Sequence, residues 1–422
     1  MNLTSTLPLS TVAMFKRNYY IGRAGKMKPR RGCKRGRAGA SPLGWFGKMV
    51  SHCCAYAAAG KKKGHPLVGM TCEYTPRELI LAAGGMPACL CGGDENMIPA
   101  AEKILPANLC PLIKSTFGYS ARKANPFLEM ADLVVAETTC DGKKKMYELL
   151  AESRPMHLVE LPQKPDDPDA MRHWVRELRK LKAALEKRFE TTITKGRLNA
   201  AIRLMNRERR LRRGLAGLMR SDAPPLTGLE MLSFKTIIAC IPAALDQMEL
   251  AIRLLPGRKL DPPAHARARV MLTGVPMPHG AERVVELIEA NGGLVVCQEN
   301  CTGLKPLMED VRSGSGDPLQ ALAEKYFHLP CSVMTPNSRR FELLRQLALE
   351  YRPQCVVEVI WQACLTYDVE SFYVRKQAVE SLGLPYLRIE TDYSPSDSAR
   401  IATRLEALFE TVRGRAGQMR CG

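Results

Sequence analysis

The stretch DLVVAETTCDGKKKMYELL (residues 132–150) decides the fold class, because an apolar run passes through a short polar loop into a helical pattern. Residues 132–137 form the near-continuous apolar run that is typical of a strand buried in a parallel sheet. Residues 142–153 have a helical pattern, and HLVEL (157–161) is the next apolar run. This order of strand, helix and strand predicts a βαβ unit, which requires a parallel sheet.

The second half of the chain repeats this order. CVVEVIW (355–361) leads through Gln362, Ala363 and Cys364 to a predicted helix at 371–382 and a strand at 386–390. The other elements predicted in this half are strands at 270–273 and 293–296 and helices at 281–291, 341–351 and 396–414. The sequence therefore predicts an α/β protein of two parallel-sheet lobes that resemble each other.

Composition divides the chain into four parts. The segment between the lobes is rich in Arg, Lys, Leu, Glu and Ala, and it predicts long helices over 168–223, with a break near 191–194, followed by a further helical pattern over 227–256. We expect a basic, disordered extension at 1–65, a first α/β lobe at 66–165, a helical connecting region at 166–265, and a second α/β lobe with a closing helix at 266–422. A short helix is predicted at 75–83, where Thr75 would be the N-cap and Pro76 the first helical residue.

The charge is concentrated at one end of the chain. The 422 residues have a net charge of +19, but residues 1–65 contain 14 Lys or Arg and no Asp or Glu, so residues 66–422 carry only +5. Nucleic-acid binding as the main function is therefore not favoured. The sequence contains no run of 18 apolar residues, so it predicts no membrane span, and it lacks the pattern of a secretory signal. We therefore expect a cytoplasmic protein. No GxxxxGK[ST] motif for ATP occurs.

Fifteen cysteines are the most informative feature of the composition. No CxxC pair occurs, which does not fit a zinc ribbon, whereas single cysteines on separate loops suit an iron–sulfur cluster assembled in three dimensions. Ligands bind beyond the carboxyl ends of parallel strands, where the loops carry most of these residues. The six candidate ligands are Cys72, Cys110 and Cys140 from the first lobe and Cys301, Cys331 and Cys364 from the second.

Each of these cysteines has an alternative interpretation, since cysteine is often a buried core residue. Cys89, Cys91 and Cys297 lie close enough in sequence to replace a candidate ligand. Two other cysteines have the pattern of core residues, and the rest fall near the chain ends. These are Cys240 and Cys355 in the first group and Cys33, Cys53, Cys54 and Cys421 in the second.

Polar residues near the candidate ligands add further hypotheses. Lys143, Lys144 and Lys145 follow Cys140 at a helix N-terminus, where they could stabilise an anionic cluster or form a solvated face. Three residues within reach of a ligand could relay protons, or else form hydrogen bonds at the sheet edge. These low-ranking catalytic candidates are Glu137, Glu299 and Gln362.

Long motifs at these same residues resemble the 2-hydroxyacyl-CoA dehydratase and benzoyl-CoA reductase superfamily. In the first lobe they are TCEYTPRELILAAG (71–84), LPANLCPLIKSTFG (105–118), DLVVAETTCDGKKKMYELL (132–150) and ELPQ (160–163). The motifs of the second lobe resemble the double-cubane cluster protein branch of that superfamily. They are QENCTGLKPL (298–307), LPCSVMTPNSRR (329–340), VVEVIWQACLTYDVES (356–371) and YLRIETDYSPSD (386–397).

This resemblance implies two flavodoxin-like lobes with an iron–sulfur site between them. In the double-cubane branch two [4Fe–4S] cubanes share a bridging sulfide to make an [8Fe–9S] cluster, and three cysteines hold each cubane. One cubane would take Cys72, Cys110 and Cys140, and the other the three cysteines of the second lobe. The resemblance also implies a homodimer, a small-molecule substrate, anaerobic chemistry and a separate ATP-hydrolysing activator that supplies low-potential electrons. It departs from the branch at Leu365, where a His is expected.

Two other functions remain open at this stage. The chain could be a subunit of a 2-hydroxyacyl-CoA dehydratase, which is a lyase, or of a benzoyl-CoA reductase, with a single [4Fe–4S] cluster. Ligand cysteines in both lobes of one chain argue against that alternative. The second alternative is a scaffold that binds nucleic acid through residues 1–65, and deletion of that extension would test it.

Overall fold

The computed structural model describes residues 41–314 and 316–418, so the greater part of the basic extension, Cys33 and Cys421 lie outside the described residues. Two four-stranded, fully parallel sheets form the framework. The first sheet has the order β2-β1-β3-β4, and its strands are β1 (Leu67–Met70), β2 (Met86–Cys89), β3 (Leu133–Glu137) and β4 (Met156–Val159). The second sheet has the order β6-β5-β7-β8, and its strands are β5 (Ala268–Gly274), β6 (Gly293–Gln298), β7 (Cys355–Trp361) and β8 (Tyr386–Thr391).

Sixteen α-helices occur in the described part of the chain. Those before and within the first lobe are α1 (Pro42–Phe46), α2 (Met49–Lys62), α3 (Arg77–Ala82), α4 (Ile98–Ala101), α5 (Pro111–Ala121), α6 (Pro126–Met130) and α7 (Asp141–Ala151). The connecting region contains α8 (Pro168–Arg188), α9 (Lys195–Gly217), α10 (Gly228–Ser233) and α11 (Pro242–Leu254). The second lobe contains α12 (Arg283–Ala290), α13 (Pro318–Phe327), α14 (Ser338–Tyr351), α15 (Leu365–Lys376) and α16 (Ser398–Gln418).

The two sheets confirm the predicted α/β fold of two flavodoxin-like lobes. In each sheet the first strand along the chain lies between the second and the third, which is the strand order of the flavodoxin fold. The central strands β3 and β7 are buried along their whole length because helices cover both faces of the sheet. The similarity between the two halves of the sequence therefore corresponds to two lobes with the same strand order.

The N-terminal part of the described chain corrects the expectation that ordered structure begins near Pro66. Helices α1 and α2 precede that residue, and α2 buries Met49, Cys53 and Ala57 in the core shared with the first sheet. The absence of acidic residues suggested disorder, but a helix needs only one apolar face to pack. Cys53 and Cys54 are therefore core residues of α2.

Three local predictions also need correction. Pro76, not Thr75, is the N-cap of α3, because the buried Thr75 hydroxyl donates to the Glu137 carboxylate. Helix α15 begins at Leu365, six residues before the predicted helix. Strands β1 and β2 were not predicted, since each has only four residues and β2 includes Pro87, and proline is unfavourable inside most strands.

Direct hydrogen bonds join the lobes across the cleft. The Tyr74 hydroxyl donates to the Leu329 carbonyl at 2.8 Å, and the Tyr393 hydroxyl donates to the Gly92 carbonyl at 3.0 Å. Helix α9 of the connecting region contributes Arg209, whose guanidinium lies 2.5 Å from the buried Glu78 carboxylate. These buried contacts fix the position of one sheet edge relative to the other. Within the described residues, every helix is too short or too polar to cross a membrane.

Candidate functional site

Four of the six candidate cysteines lie just beyond the carboxyl end of a strand. Cys72 follows β1 and Cys140 follows β3, and these two strands are neighbours in the first sheet. The two cysteines therefore flank the topological switch point, where the strand order of the sheet changes direction. In the second sheet, Cys301 follows β6 and Cys364 follows β7. Such reversal points form the ligand-binding crevice of doubly wound sheets. The topology therefore brings these thiols to the facing edges of the two lobes.

Three of the candidate cysteines are the residues that begin helices. Cys110, Cys140 and Cys364 are the N-caps of α5, α7 and α15. The free N–H groups and the positive end of the helix dipole stabilise a thiolate at this position. The Cys364 thiol and the N–H groups of the first turn of α5 lower the pKa of Cys110. The thiolate, which is the form that binds metal, is favoured at Cys110, whereas burial raises the pKa of Cys140 and the neighbouring Cys110 raises that of Cys364.

The six thiols belong to one electrostatically connected group across the cleft, which Cys91 joins through Cys72. The Cys364 thiol lowers the pKa of Cys110 and the Cys110 thiol raises that of Cys364, so these two side chains interact although they belong to different lobes. Burial raises the pKa of Cys72, and the thiols of Cys331 and Cys301 raise it further. Burial also raises the pKa of Cys140, with contributions from Cys110 and Cys331. All six cysteines are free of disulfides.

The three substitute cysteines occupy two different places. Cys89 and Cys91 lie at the end of β2 in hydrogen-bonding contact with each other, and this contact lowers the pKa of Cys89 to about 6. Because β2 and β6 hold equivalent positions in the two sheets, this pair is the structural counterpart of Cys301. Cys297 lies inside β6, 4% exposed among apolar side chains, and is separate from the group. Cys240 and Cys355 are also buried, as predicted.

One of the three consecutive lysines faces the thiols. The Lys143 ammonium donates to the Thr71 carbonyl at 2.8 Å, next to Cys72, and the neighbouring thiolates help to keep its pKa high against the effect of burial. Lys144 pairs with Asp141 and Lys145 pairs with Glu148 on the exposed side of α7. The prediction of a cation beside the candidate cysteines therefore applies to Lys143, and Lys144 and Lys145 form a solvated face.

Glu137 is a fully buried acid at the end of β3. Burial raises its pKa to about 7, although the Thr75 hydroxyl and the charge of Lys143 act in the opposite direction. Among the described residues, its Oε2 atom has no hydrogen-bond partner. A carboxyl group with this pKa can hold or release a proton near neutral pH.

Glu299 is buried as well, but it is held as an ion. Burial alone would raise its pKa, yet Lys305 and Arg340 lower it below the ordinary value. The Lys305 ammonium lies 2.9 Å from Glu299, and the Thr273 hydroxyl donates to the same carboxylate at 2.6 Å. Glu299 therefore serves the buried ion network behind Cys301 and is poorly suited to donate protons.

Gln362 does not face the thiols. Its side chain is exposed, and its backbone N–H donates to the Thr391 carbonyl at 2.9 Å, in continuation of the sheet. The next residue, Ala363, has a φ of 58°, and this left-handed turn directs the chain into α15 at Cys364. Leu365 is 72% exposed and likewise points away from the site. The sequence could not distinguish these orientations, because Gln362, Cys364 and Leu365 lie within four residues at the junction of β7 and α15.

A cavity of about 90 Å³ opens beside Cys72 and Cys301. Its walls come from both lobes and from the connecting region, which contributes Arg209, Arg212 and Lys235. The sequence predicted only a helical connecting region there, and these cations were not among the candidate site residues. Charged residues on the face of α9 that is buried could have indicated this site. On that face Glu208 and Arg209 are only 5% and 2% exposed.

Within the described residues, one group of side chains lies close enough together to hold a single metal ion. It consists of Glu160, His173 and Glu177, whose ligand atoms lie within 4.8 Å of one another. The Glu177 carboxylate already accepts from the Lys180 ammonium and from the backbone N–H of Glu160. These contacts explain why the three side chains lie close together without a bound metal ion.

Fold and site together define a class of protein. It has two flavodoxin-like lobes whose strand ends and helix N-termini present cysteines to a shared cleft. The family model of the 2-hydroxyglutaryl-CoA dehydratase D-component matches residues 72–412. The chain belongs to this family, and the superfamily expected from the motifs is confirmed.

Curated relatives support the same membership. The chain is 41% identical over 360 residues to "Putative dehydratase subunit YjiM" of Escherichia coli (strain K12), covering 83% of this chain and 93% of the relative. It is 22% identical to the (R)-phenyllactyl-CoA dehydratase beta subunit of Clostridium sporogenes, with the same coverage of 83% and 93%. It is 23% identical to a benzoyl-CoA reductase subunit of Thauera aromatica over 60% of this chain and 66% of the relative.

Proposed function

We propose that this protein is a reductase that holds a double-cubane [8Fe–9S] cluster in the cleft between its lobes. The observation that carries the proposal is the connected group of six free thiols, three from each lobe. A single [4Fe–4S] cubane uses at most four cysteines. Six convergent thiols therefore fit two cubanes better than one.

Cys72, Cys110 and Cys140 would hold one cubane, and Cys301, Cys331 and Cys364 would hold the other. The contact between Cys110 and Cys364 supports this arrangement, because it joins the two sets where the cubanes would meet. When bound, the cluster supplies electrons at low potential. Lys143 and Lys305 offset part of its negative charge, and Glu137 is placed to hold a proton nearby.

The electrons would come from a separate activator that hydrolyses ATP. The chain contains no GxxxxGK[ST] motif, so we propose that the energy of ATP hydrolysis is used in a partner protein. The substrate would be a small molecule that is reduced at the cleft. Mixing the anaerobic protein with its activator, with and without ATP, tests this dependence through the reduction of the cluster.

We also propose that the protein is a homodimer. Helix α15 carries an apolar stripe of Leu365, Val369, Phe372 and Tyr373, which are 72%, 73%, 67% and 56% exposed. Their spacing places them on one face of the helix. Exposed apolar patches of this kind mark interaction surfaces, and two copies of one helix can pair symmetrically about a two-fold axis.

The ligand assignment is tested by single alanine substitutions. Cys364→Ala removes a proposed ligand, and we expect the anaerobically purified variant to lose about half of its iron, one of the two cubanes. Cys355→Ala is the matched control, because Cys355 is a free cysteine buried in β7, nine residues earlier. Its iron content should equal that of the unmodified protein. Equal iron in both variants would contradict the assignment.

The same measurement decides between Cys301 and its structural counterparts. Cys89→Ala and Cys91→Ala should leave the iron content unchanged, whereas Cys301→Ala should lower it. Loss of iron in the Cys89 or Cys91 variant, together with full iron in the Cys301 variant, would transfer the ligand role to the pair at the end of β2.

A further inference from the structure

The cavity beside Cys72 and Cys301 has an excess of positive charge. Its walls contain two carboxylates, those of Glu73 and Glu208. They contain six cationic side chains, which are Arg77, Lys143, Arg209, Arg212, Lys235 and Lys325. Burying charges of one sign is costly unless opposite charges compensate them.

The carboxylates nearby are already committed to other groups. Glu73 pairs with Arg77 at 2.7 Å, and Glu78, just outside the cavity, pairs with Arg209 at 2.5 Å. Glu208 accepts from the backbone N–H of Cys240 at 2.5 Å. These pairs leave the other four cations without a carboxylate at salt-bridge distance, although the charge of Glu208 acts on Arg212 and the Cys89 and Cys91 thiols act on Lys235.

Those four cations reach only backbone carbonyls through their described hydrogen bonds. Lys235 donates to Met277 at 3.2 Å, Arg212 to Thr302 at 3.4 Å, Lys325 to Pro306 at 3.0 Å and Lys143 to Thr71 at 2.8 Å. No described carboxylate lies within 4.0 Å of their charged nitrogens. Thr71 and Thr302 adjoin Cys72 and Cys301, so the positive charge borders the proposed cluster site.

The pKa values of three of these cations agree with a site whose positive charge is incompletely compensated. Burial is the main cause that lowers the pKa of Arg212 and of Lys235. Burial, together with the charge of Arg209, lowers the pKa of Lys325 to about 7. A bound anion would relieve these costs. None of these three cations makes a described hydrogen bond to the six proposed ligands, so each is free to bind an anion in the cavity.

We propose that this cavity is a binding site for a small anion of carboxylate or oxyanion type, and that such an anion is the substrate class of this protein. The size of the cavity supports a small ligand, because about 90 Å³ holds a few non-hydrogen atoms, whereas sites that enclose larger ligands measure roughly 300 to 1,000 Å³. A CoA thioester therefore does not fit inside it. The identification of the anion as a substrate rests on the proposed function, whereas the binding of an anion in this cavity does not.

The test compares two molecules of nearly the same shape. Acetate and neutral acetamide are titrated into the anaerobically purified full-length protein at constant ionic strength, and binding is followed by calorimetry. We expect saturable binding of acetate and at least tenfold weaker binding of acetamide. Acetyl-CoA should not compete with acetate. Equal binding of acetate and acetamide, absence of acetate binding, or competition by acetyl-CoA would each overturn the proposal.

Charge-removing variants locate the site. Arg212→Gln and Lys235→Gln should each weaken acetate binding at least tenfold, whereas Arg203→Gln, on an exposed face of the same helix as Arg212, should bind as the unmodified protein does. Circular dichroism confirms that each variant is folded. Unchanged acetate binding in both cavity variants would overturn the site.

Iron analysis of the same samples separates this proposal from the proposed function. Loss of iron in the cavity variants, with no acetate binding to the unmodified protein, would show that the cations serve only the cluster and would overturn the anion site. Acetate binding that depends on Arg212, in a protein that holds no iron when isolated anaerobically, would sustain the anion site and contradict the reductase.

Discussion

At the scale of single residues, Glu137 and Glu299 show how similar positions produce opposite electrostatics. Both are buried acids near a candidate ligand. Glu137 has a hydroxyl partner and a raised pKa, whereas Glu299 has a lysine 2.9 Å away and a lowered pKa. The sequence offered both as proton-relay candidates, and only the surrounding charges distinguish them.

We predict that Glu137→Gln stabilises the protein at alkaline pH. The pKa of Glu137 is about 7 in the folded chain, above its ordinary value of 4.5, so its carboxyl favours the fold while protonated. That contribution is complete below about pH 4.5 and is lost as the pH rises through 7, at a cost of about 3 kcal/mol by linkage. Thermal unfolding should show a higher midpoint for the variant at pH 8 and no gain at pH 4.5.

Glu299→Gln is the contrasting variant. Because the pKa of Glu299 is lowered, its ionised form stabilises the fold above the ordinary pKa, and this contribution is lost as the pH falls. The variant should therefore unfold at a lower temperature than the unmodified protein at pH 8. If both variants moved the midpoint in the same direction at pH 8, the electrostatic distinction between the two acids would be wrong.

At the scale of elements, the sequence predicted six of the eight strands of the described chain and missed β1, β2 and the N-terminal helices. Strands β3 and β7 are apolar runs buried on both faces, and this pattern has few other interpretations. Helix α2 was missed because its basic, alanine-rich sequence has no acidic residue and no strong apolar periodicity. Its packing depends on a partner surface that the local sequence does not contain.

We predict that Met49→Ala destabilises the protein. Met49 is 2% exposed in α2, within the core that includes β1 and β2, and shortening such a side chain typically costs about 2–5 kcal/mol. Chemical unfolding should show this loss, whereas Lys62→Ala, at an exposed position of the same helix, should have little effect. Equal stability of the Met49 variant and the unmodified protein would mean that α2 does not belong to the core.

The packing of α2 also changes how the basic extension should be tested. Deletion of residues 1–65 would remove a core helix and confuse loss of folding with loss of binding. Deletion of residues 1–40 leaves every described element intact. Salt-dependent binding of DNA or RNA that disappears in this shorter chain would assign nucleic-acid binding to the extension.

At the scale of the whole molecule, the candidate site depends on contacts that no local pattern contains. The sequence placed single cysteines at strand ends, and the parallel topology accounts for their position at the cleft. It did not indicate that Cys110 interacts with Cys364 across the lobes, or that α9 contributes cations to the adjoining cavity. Those features depend on the docking of the lobes and the connecting region.

We predict that Val369→Arg makes the proposed homodimer dissociate. A buried charge in the apolar stripe of α15 would be desolvated without a partner, which is costly. Light scattering should give the mass of two chains for the unmodified protein and of one chain for the variant. Leu349→Arg, on an exposed position of α14 outside the stripe, should remain a dimer. A monomeric unmodified protein would contradict the proposal.

Iron and acid-labile sulfide analysis of the anaerobically purified, full-length protein tests the central claim most directly. Two cubanes joined by a bridging sulfide predict about eight iron and about nine sulfide per chain, since each cubane contributes four of each. About four iron and four sulfide per chain would contradict the double cubane and favour the single-cluster dehydratase or reductase subunit.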